Sequence, residues 1–576
     1  MKTPPLLVGL VFVSSGLGTV ATSLGFDPNH DALSRQVDEF FARWDKPDTP
    51  GAAVVITRSG SVLYRRCYGL ANLEHRVPIT PKTVFELAST SKPFTATAVL
   101  LLEQAGKLTL DDPIRSYIPE LPDFADAVTL RHLLHHTSGL WDYWTIMTYY
   151  AGFTQYDYFR LGDVLRLLER QPELLFTPGS QWKYCNANYA LLAEVVARVT
   201  GESFSSWTKK HIFDPLGMED SFFQHNCRRM VPNLASAYHQ ENGAYFRGRQ
   251  YGVDFAGPAH MFATIDDMAL WLDNFRTRKV GDTKVIEKMC QKNRLNDGSE
   301  HFYGLGVGIL ARHGETVIHH SGQSGNFVTT MLYCPRKELG ISILANTRTV
   351  KAEKLGFEIL GLCLGKKATR EEKPEQPEPK PFVTASRDKM NKYAGGYVIE
   401  ESGVHVGILA EATRLVGLVD GLGMDSFFPT SDSHFANGAR NVRITFVPND
   451  EGRICAAAID VKGQILRADR IAIKKPTPDE LREDYAGPYF CDAFGTVYEL
   501  VETEGRLVVR HRRYGDRELV QTDRDEFMGE VGFLRFERNK QGAVLGFAML
   551  DETFSFRPIY FKKVGDGGRE GRRAPG

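Results

Sequence analysis

The chain reads Val84-Phe85-Glu86-Leu87-Ala88-Ser89-Thr90-Ser91-Lys92-Pro93-Phe94, so that an apolar, strand-like segment runs directly into a Ser-x-x-Lys tetrapeptide. A helical run continues to Leu102, and proline suits its first turn because the missing N–H costs little there. Ser89 therefore stands among the unpaired N–H groups of a helix start, with Lys92 about one turn further along the same face. This position predicts an activated serine; the alternative is an ordinary helix N-cap.

Other Ser-x-x-Lys patterns occur in the chain, and those at Ser206 and Ser386 have different surroundings. Ser206 lies in a polar stretch after Thr200-Gly201-Glu202, and Ser386 follows a segment rich in proline, glutamate and lysine. Neither is delivered by an apolar strand. The local sequence therefore favours Ser89 as the reactive serine.

Two further motifs follow Ser89 in the chain, Tyr184-Cys185-Asn186 and His320-Ser321-Gly322. Among the 22 tyrosines, only Tyr184 begins a Tyr-x-Asn pattern. A turn-rich approach precedes it and the helical stretch 189–196 follows, which predicts a loop position beside a rigid helix.

The order Ser-x-x-Lys, Tyr-x-Asn, His-x-Gly resembles the class C β-lactamase family, which also contains D-alanyl-D-alanine carboxypeptidases, D-aminopeptidases and serine esterases. The flanking segments 106–113 and 133–140 match as well, and the similarity covers roughly Asp48 to Leu364. The resemblance implies an α+β fold, an antiparallel sheet flanked by helices as in serine β-lactamases and DD-peptidases.

The resemblance also implies roles for individual residues. Ser89 is the acyl-forming nucleophile, Lys92 its proton partner and Tyr184 a second base. The remaining residues are implied to bind substrate. Asn186 hydrogen-bonds the substrate amide or Lys92, and His320 stands in the place of a lysine in the β-lactamase motif. Gly322 lets the substrate lie against the strand edge, and the backbone N–H groups of Ser89 and Gln323 form the oxyanion hole.

Lys92 and Tyr184 have ordinary pKa values of about 10.4 and 10, so either must change to act as a base near neutral pH. An ammonium favours a neighbouring phenolate while burial disfavours the ammonium, so the pair can share one proton. The sequence leaves open which of the two takes the serine proton.

His320 bears on the substrate. Lysine would present a permanent cation to a substrate carboxylate, whereas an unperturbed histidine is charged only below about pH 6.5. Weak or no β-lactamase activity is therefore expected. A second departure from the family is Ala259-His260, where relatives usually carry Gly-Gly; His260 either lines the pocket or is structural.

Composition argues against other classes of protein. Lysine plus arginine total 70 and aspartate plus glutamate 71, so no basic field for nucleic acid is expected. The eight cysteines are scattered, and packing is the expected role of Cys185. The doublets His135-His136 and His319-His320 are poor metal sites because adjacent side chains of a strand point to opposite faces. No metal or cofactor is expected.

The N-terminal residues 1–23 are typical of a secretory signal peptide, with one lysine, an apolar core and small residues for cleavage. A periplasmic or secreted protein without a membrane span in its mature form is expected. The catalytic domain is then predicted over residues 26–365.

A Pro/Glu/Lys linker at 366–384 separates this domain from a region of short alternating segments. Tyr393-Ala394-Gly395-Gly396-Tyr397 is repeated as Tyr485-Ala486-Gly487-Pro488-Tyr489, which predicts two β-barrels over 385–474 and 478–564, before a disordered tail at 565–576. This architecture resembles the D-aminopeptidase branch, in which a barrel loop reaches the active site; the alternative is docking or oligomerisation modules.

The sequence thus predicts a serine hydrolase acting on small peptides: D-residue-containing, linearised cyclic or peptidoglycan-derived. A carboxylesterase acting on short acyl esters is the first alternative. A catalytically silent peptide-binding or sensor protein is the second. A homo-oligomer is compatible with all three.

Overall fold

The structure is a computed structural model that describes residues 28–565, apart from 154–156, 249–251, 367–389, 411–413, 420–422, 438–441, 462, 473–474, 512–514 and 552–556. The signal segment 1–23, residues 367–384 of the linker and residues 566–576 of the tail lie outside the described residues. Those expectations, with the cellular location, stay predictions.

Seventeen strands belong to the region before the linker in the described part of the chain. They are β1 Ala52–Arg58, β2 Ser61–Tyr68, β3 Leu70–Asn72, β4 Val77–Pro78, β5 Phe85–Glu86, β6 Tyr158–Phe159, β7 Phe222–Phe223, β8 Tyr238–Glu241, β9 Ala244–Arg247, β10 Gly252–Val253, β11 Met261–Ala263, β12 Asn293–Arg294, β13 Glu300–His301, β14 Gly308–Arg312, β15 Glu315–Ser324, β16 Phe327–Cys334 and β17 Leu339–Ala345.

The α-helices of the described residues are α1 Pro28–Phe41, α2 Lys92–Gln104, α3 Leu130–Leu134, α4 Tyr143–Thr145, α5 Leu161–Glu169, α6 Asn186–Thr200, α7 Phe204–Thr208, α8 Asp214–Leu216, α9 Ile265–Thr277, α10 Thr283–Met289, α11 Ala352–Cys363 and α12 Pro478–Glu480. None of these helices has both the length and the apolar character that crossing a membrane requires.

Six strands form the central sheet in the order β14-β15-β16-β17-β1-β2, and every neighbouring pair is antiparallel. Successive side chains of a strand point to opposite faces. Accordingly Ala52, Val54 and Ile56 of β1 pack with α1 and α11, whereas Ala53 and Val55 face the core that contains α2 and α9. Both faces are therefore covered by helices, and the predicted α+β fold is confirmed.

Helix α2 lies inside the larger of these cores. Almost all of its residues are buried, including Lys92, Phe94 and Val99. A helix that is apolar all round is stable only when other elements cover every face. Lys92, its first residue, is consequently held in the interior, directly after the turn that carries Ser89.

Two β-barrels follow, as predicted, and the structure shows that each is closed and has eight strands. The first contains β18 Gly395–Ile399, β19 His405–Ala410, β20 Leu415–Val419, β21 Gly423–Pro429, β22 His434–Asn437, β23 Val442–Pro448, β24 Ile454–Val461 and β25 Gln464–Arg470. The second contains β26 Gly487–Cys491, β27 Thr496–Thr503, β28 Arg506–His511, β29 Gly515–Asp523, β30 Glu526–Gly529, β31 Gly532–Arg538, β32 Val544–Leu550 and β33 Ile559–Lys563.

The repeated tyrosines make the same contact in both barrels. Tyr397 Oη donates to the Tyr393 carbonyl at 2.7 Å, and Tyr489 Oη donates to the Tyr485 carbonyl at 2.7 Å. The central glycine of each motif, Gly395 or Gly487, has a positive φ (141° and 133°), a conformation that favours glycine. The sequence repeat thus encodes one corner that is used twice.

The second barrel shares a hydrophobic core with the catalytic domain. Phe494, in the loop between β26 and β27, lies with its ring centroid 6.0 Å from that of Trp141 and 5.4 Å from that of Tyr150. Tyr498 Oη also donates to the Tyr150 carbonyl at 3.1 Å. This barrel is therefore packed against residues 141–150 of the first domain.

Phe494→Ala is expected to destabilise the protein by about 3–5 kcal/mol, because a buried aromatic ring is deleted between two domains. Differential scanning calorimetry of both forms measures the effect. Tyr560→Ala, which removes a 53% exposed ring from the same barrel, is the control and is expected to change stability by only about 0.5 kcal/mol. Equal effects of the two substitutions would contradict a shared core.

Candidate active site

Ser89 lies on a tight 3₁₀ turn, Ala88–Ser91, that continues into α2. Ala88 has a φ of 50°, a left-handed conformation that is costly for a residue with a Cβ. The turn is fixed on both sides: Ser91 Oγ donates to the Ala88 carbonyl at 2.6 Å, and Thr329 Oγ1 of β16 donates to the Leu87 carbonyl at 2.7 Å. These contacts hold the half-buried Ser89 in a strained but defined position.

The Lys92 amine reaches three groups. Its Nζ lies 2.8 Å from the Pro258 carbonyl, 3.0 Å from Asn186 Oδ1 and 3.2 Å from Ser89 Oγ. Pro258 O and Asn186 Oδ1 can only accept hydrogen bonds. A neutral amine has two N–H groups and one lone pair, so it can donate to both oxygens and direct the lone pair at the Ser89 hydroxyl.

Burial affects Lys92 and Tyr184 in opposite directions. The Lys92 side chain is fully buried, and burial lowers its pKa to about 7. Burial raises the pKa of Tyr184 above its ordinary value, although a hydrogen bond with Ser89 opposes the rise. Near pH 7 Tyr184 is therefore neutral and Lys92 is divided between its charged and neutral forms, so a proton shared with a phenolate is not the favoured state.

Tyr184 lies on a loop directly before a helix, as predicted, with Cys185 as the N-cap and Asn186 as the first residue of α6. The Asn186 N–H donates to Asp142 Oδ1 at 2.6 Å, and the Cys185 N–H donates to His136 Nδ1 at 3.2 Å. The Tyr184 ring centroid lies 4.6 Å from Lys92 Nζ. Cys185 itself is buried, so its side chain has the packing role that was expected.

His320, in β15, is buried and uses both ring nitrogens. Nδ1 lies 2.7 Å from the Ser321 carbonyl, which can only accept, so Nδ1 carries the proton. Nε2 then accepts from Tyr303 Oη at 3.0 Å. Burial, reinforced by the charge of Lys92, lowers the pKa of His320 to about 3. The side chain is therefore a neutral imidazole over the physiological range.

Gly322 lies where β15 meets the Ser89 turn. A Cβ at this position would lie 2.2 Å from the Leu87 carbonyl oxygen and 2.5 Å from Thr329 Oγ1. Glycine is required here because the strand packs directly against the backbone of the turn. The sequence analysis expected a glycine here because it lets the substrate lie against the strand edge, whereas the structure shows a close contact with the Ser89 turn.

Gly322→Ala is expected to destabilise the protein by at least about 1–3 kcal/mol, since the added methyl group must displace backbone. It is also expected to lower kcat by shifting Ser89. Thermal unfolding and a rate assay on the same sample measure both effects. Gly162→Ala is the matched control, because its Cβ would meet only the Arg166 side chain at 3.4 Å; a harmless Gly322→Ala would contradict the contact.

An open cavity of about 890 Å³ brings five of the seven predicted site residues together. Ser89, Tyr184, His320, Gly322 and Gln323 line it, and Lys92 lies buried behind Ser89 with Asn186 at its amine.

The cavity runs along the open edge of β15. Strand β14 starts at Gly308, opposite His319, so residues 320–324 of β15 have no strand partner on that side among the described residues. Such an edge can pair with an extended peptide.

His260 does not line this cavity. It lies at the wall of a second cavity of about 420 Å³, with Nδ1 3.3 Å from Glu86 Oε1. Its φ is 63°, in the region where glycine is favoured, which fits the glycine usual in the family at this position. The sequence left open whether His260 lines the active-site pocket or has a structural role, and the contact with Glu86 fits the structural role.

Sequence reasoning missed three residues of the site. Asp142 anchors the start of α6, Tyr303 fixes the tautomer of His320, and Arg348 lines the cavity. Asp142 is the N-cap residue of the short helix α4. An aspartate before a helix predicts such a cap, but it does not predict the contact with the Asn186 N–H. Tyr303 and Arg348 come from distant parts of the chain, and no local pattern marks them.

No residue of either barrel belongs to the cavity lining within the described ranges. The barrel loop expected at the active site therefore does not reach the cavity in the described part of the chain. The loop containing Phe494 instead packs behind the site, against Trp141.

The sequence pattern of the β-lactamase family matches residues 37–360, more than half of the 576-residue chain. Together with the fold and the site, this places the chain in the β-lactamase family, to which it belongs. Two solved structures share the fold. They are the octameric penicillin-binding protein homologue from Pyrococcus abyssi (TM-score 0.54, 23% identity, 76% of this chain and 99% of that one) and a class C β-lactamase (TM-score 0.50, 22% identity, 59% and 99%).

Curated relatives include two D-aminopeptidases. The protein from Gluconobacter oxydans is 29% identical over 331 residues (57% of this chain, 61% of the relative), and that from Brucella anthropi is 27% identical over 321 residues (55% and 59%). The match thus spans about 60% of the length of these relatives. Penicillin-binding protein 4* from Bacillus subtilis is 27% identical over 424 residues (69% and 90%).

Proposed function

We propose that this protein is a serine hydrolase that forms an acyl-enzyme on Ser89 and cleaves small peptides. The observation that carries the proposal is the hydrogen bonding of Lys92. Two of its partners can only accept, so a neutral amine that donates to both has its lone pair available to the Ser89 hydroxyl, 3.2 Å away. A pKa of about 7 supplies a substantial fraction of that neutral amine at physiological pH.

In the proposed reaction Lys92 Nζ takes the proton of Ser89 while Ser89 Oγ bonds to the substrate carbonyl carbon. The oxyanion that forms is stabilised by the backbone N–H groups of Ser89 and Gln323, each worth about 2.7–4 kcal/mol. Collapse of the intermediate breaks the C–N bond, and the departing nitrogen receives the proton held by Lys92, either directly or through the Tyr184 hydroxyl, which gives up its own proton and takes the one from Lys92. In the second half of the reaction a water molecule gives a proton to Lys92 as its oxygen bonds to the acyl carbon. The bond between that carbon and Ser89 Oγ then breaks, and Ser89 Oγ takes the proton back from Lys92.

Small peptides are the proposed substrates, in particular peptides with D-residues, linearised cyclic peptides and peptidoglycan fragments. The named D-aminopeptidases and the penicillin-binding protein among the relatives support this class. The open edge of β15 supports an extended peptide ligand. The neutral His320 supports weak or absent β-lactamase activity, since it offers no cation in the place of the family's lysine.

The second candidate function is a carboxylesterase that uses the same residues. It is favoured by the aromatic wall that Trp182 and Phe302 contribute to the cavity, beside the uncharged His320. A wall of this kind accepts an uncharged acyl ester as readily as a peptide. A catalytically silent sensor is disfavoured, because such a protein has no use for a buried lysine held neutral beside a serine.

The proposal is tested by joining a hydrolysis panel to a search for the acyl adduct. The panel contains D- and L-aminoacyl amides, D-alanyl-D-alanine peptides, short-chain p-nitrophenyl esters and nitrocefin. Reactions are quenched in acid before steady state, and the protein is digested and mapped by mass spectrometry. Peptide turnover with an acyl mass on the Ser89 peptide is expected. Turnover of esters alone would promote the esterase, and an adduct on another residue would overturn the proposal.

A further inference from the structure

The two barrels touch along an inter-barrel seam, formed by β18 and β19 of the first barrel and β29 and β30 of the second. A Cβ at Gly396 would lie 1.8 Å from the Thr522 carbonyl oxygen, and one at Gly407 would lie 3.0 Å from Met528 Sδ. Leu409 belongs to the same buried cluster as Met528. The strands are therefore close enough for polar side chains of the two barrels to meet.

His405 of β19 lies at this seam, facing two carboxylates of the second barrel. Its Nδ1 is 3.8 Å from Asp523 Oδ2 and 3.6 Å from Glu526 Oε2, and one ligand atom from each of the three side chains lies within 4.8 Å of the others. Both contacts are longer than a hydrogen bond. They are close to the separation of neighbouring ligands around a tetrahedral zinc ion, about 3.3–3.5 Å for bonds of about 2.0–2.2 Å. The three atoms are thus spaced to surround an ion rather than to bond one another.

The second barrel places its two carboxylates directly opposite each other. Asp523 ends β29, Glu526 begins β30, and the two are paired across the hairpin, where like charges repel. Each carboxylate has one oxygen held elsewhere, since the Arg524 N–H donates to Asp523 Oδ1 at 2.6 Å and Arg535 Nε donates to Glu526 Oε1 at 2.8 Å. The oxygens left over are the two that face His405. Hydrogen bonds of this kind orient the ligands of metal sites.

A buried side-chain oxygen next to Asp523 also lacks a protein partner. Thr522 is 2% exposed, and its Oγ1 makes no hydrogen bond within the described residues. It is the extra residue of a β-bulge, because Gln521 pairs with Phe527 whereas Asp523 pairs with Glu526. Buried hydroxyls are nearly always hydrogen-bonded, and an unpaired one calls for a water or an ion. This atom is an independent sign that the seam holds a polar ligand.

We propose that His405, Asp523 and Glu526 bind a divalent transition-metal ion, with Zn²⁺ the best match, and that the ion fastens the two barrels together. One imidazole nitrogen and two carboxylate oxygens are ligands that Zn²⁺ takes, and three protein ligands leave a fourth position for water. Because His405 belongs to one barrel and both carboxylates to the other, the ion binds only while the barrels are in contact. Its role is structural, since no barrel residue among the described ones lines the Ser89 cavity.

The sequence analysis expected no metal because it considered residues that are close together in the chain. His405 meets the two carboxylates only in the folded protein. The inference is independent of the proposed hydrolase, and it stands or falls without any measurement of activity.

The test is calorimetric titration of the full-length protein, first treated with EDTA, with ZnCl₂. Wild type is expected to bind one ion at this site, and Zn²⁺ at about a hundredfold excess over Kd is expected to raise the Tm by about 5–10 °C. His405→Ala, and Asp523→Asn as a variant of nearly unchanged shape, are each expected to weaken this binding by more than about a hundredfold, beyond the loss caused by removing an orienting partner. His434→Ala removes an exposed histidine of the same barrel and is the matched control.

Hydrogen exchange tests the fastening itself. Zn²⁺ is expected to slow exchange in β19 and β29 of the wild type and not of His405→Ala. Zinc binding that is equal in wild type and His405→Ala, or that His434→Ala removes equally, would overturn the site. Zinc binding without slower exchange at the seam would overturn the fastening role. A Tm that rises on acidification of wild type but not of His405→Ala, with no response to Zn²⁺, would show an imidazolium paired with the carboxylates in place of an ion.

Discussion

Ser89→Ala is expected to lower kcat/KM by about 10⁴-fold or more on every substrate that the wild-type protein hydrolyses, as removal of a covalent nucleophile does elsewhere. The substitution deletes one oxygen that contacts Lys92 Nζ at 3.2 Å and leaves the other two partners of that amine in place. The turn is held by Ser91 and Thr329, not by the Ser89 side chain. The fold is therefore expected to be unchanged, which circular dichroism and thermal unfolding measure.

The chain offers a matched control for this variant. Ser206 begins a Ser-x-x-Lys sequence of the same spacing, but it is exposed on α7 and bonds Ser203. Ser206→Ala is expected to keep full activity. Activity that survives Ser89→Ala, or is lost equally in the two variants, would mean that the nucleophile lies elsewhere.

Lys92→Met is expected to lower kcat by about 10³-fold, the usual contribution of a general base. A base must be unprotonated to act, and the pKa of Lys92 is about 7. The wild-type rate is therefore expected to rise with pH and to level off above about 7. The pH profile of kcat/KM for the wild type measures this rise. The residual activity of Lys92→Met is measured over the same pH range and is expected to show no such rise.

Tyr184→Phe distinguishes the two candidate bases. With Lys92 as the base, this variant is expected to be slower yet to keep the rise of the rate near pH 7. Disappearance of the rise in Tyr184→Phe, with its persistence in Lys92→Met, would reverse the assignment.

The same pKa change links Lys92 to stability. In the unfolded chain the lysine pKa is about 10.4, so between the two values the folded protein binds fewer protons than the unfolded chain. Stability from this group consequently rises with pH across that window and is lowest below about 7. Wild type is expected to gain Tm relative to Lys92→Met between neutral and alkaline pH, as scanning calorimetry in matched buffers measures.

The parts of the site that could be predicted from the sequence are those whose residues lie close together along the chain. Ser89, Lys92 and Pro93 belong to one helix start, and Tyr184 lies at another, so local rules were enough to place them on turn, helix and loop. The repeated tyrosines of the barrels were readable for the same reason, because Tyr393 and Tyr397 form a corner within five residues.

Contacts between distant segments could not be read in this way. The tautomer of His320 depends on Tyr303 and its neutrality on burial, and the exposed cation Arg348 is placed by Asn346 and Thr349. The division of roles between Lys92 and Tyr184 likewise depends on what surrounds each side chain. Burial is a property of the folded chain, and the sequence states only the unperturbed pKa values.

The order of the central sheet has a consequence for synthesis on the ribosome. Strand β1 pairs with β17, Ala52 opposite Ala345, and the Ser89 turn is fastened by Thr329 of β16. Ser89 therefore emerges long before the strands that complete its surroundings, and the core around Trp141 is closed only when Phe494 has been made. Long-range pairing of this kind delays folding until late in translation. The surroundings of Ser89 are accordingly complete only after most of the chain has been made.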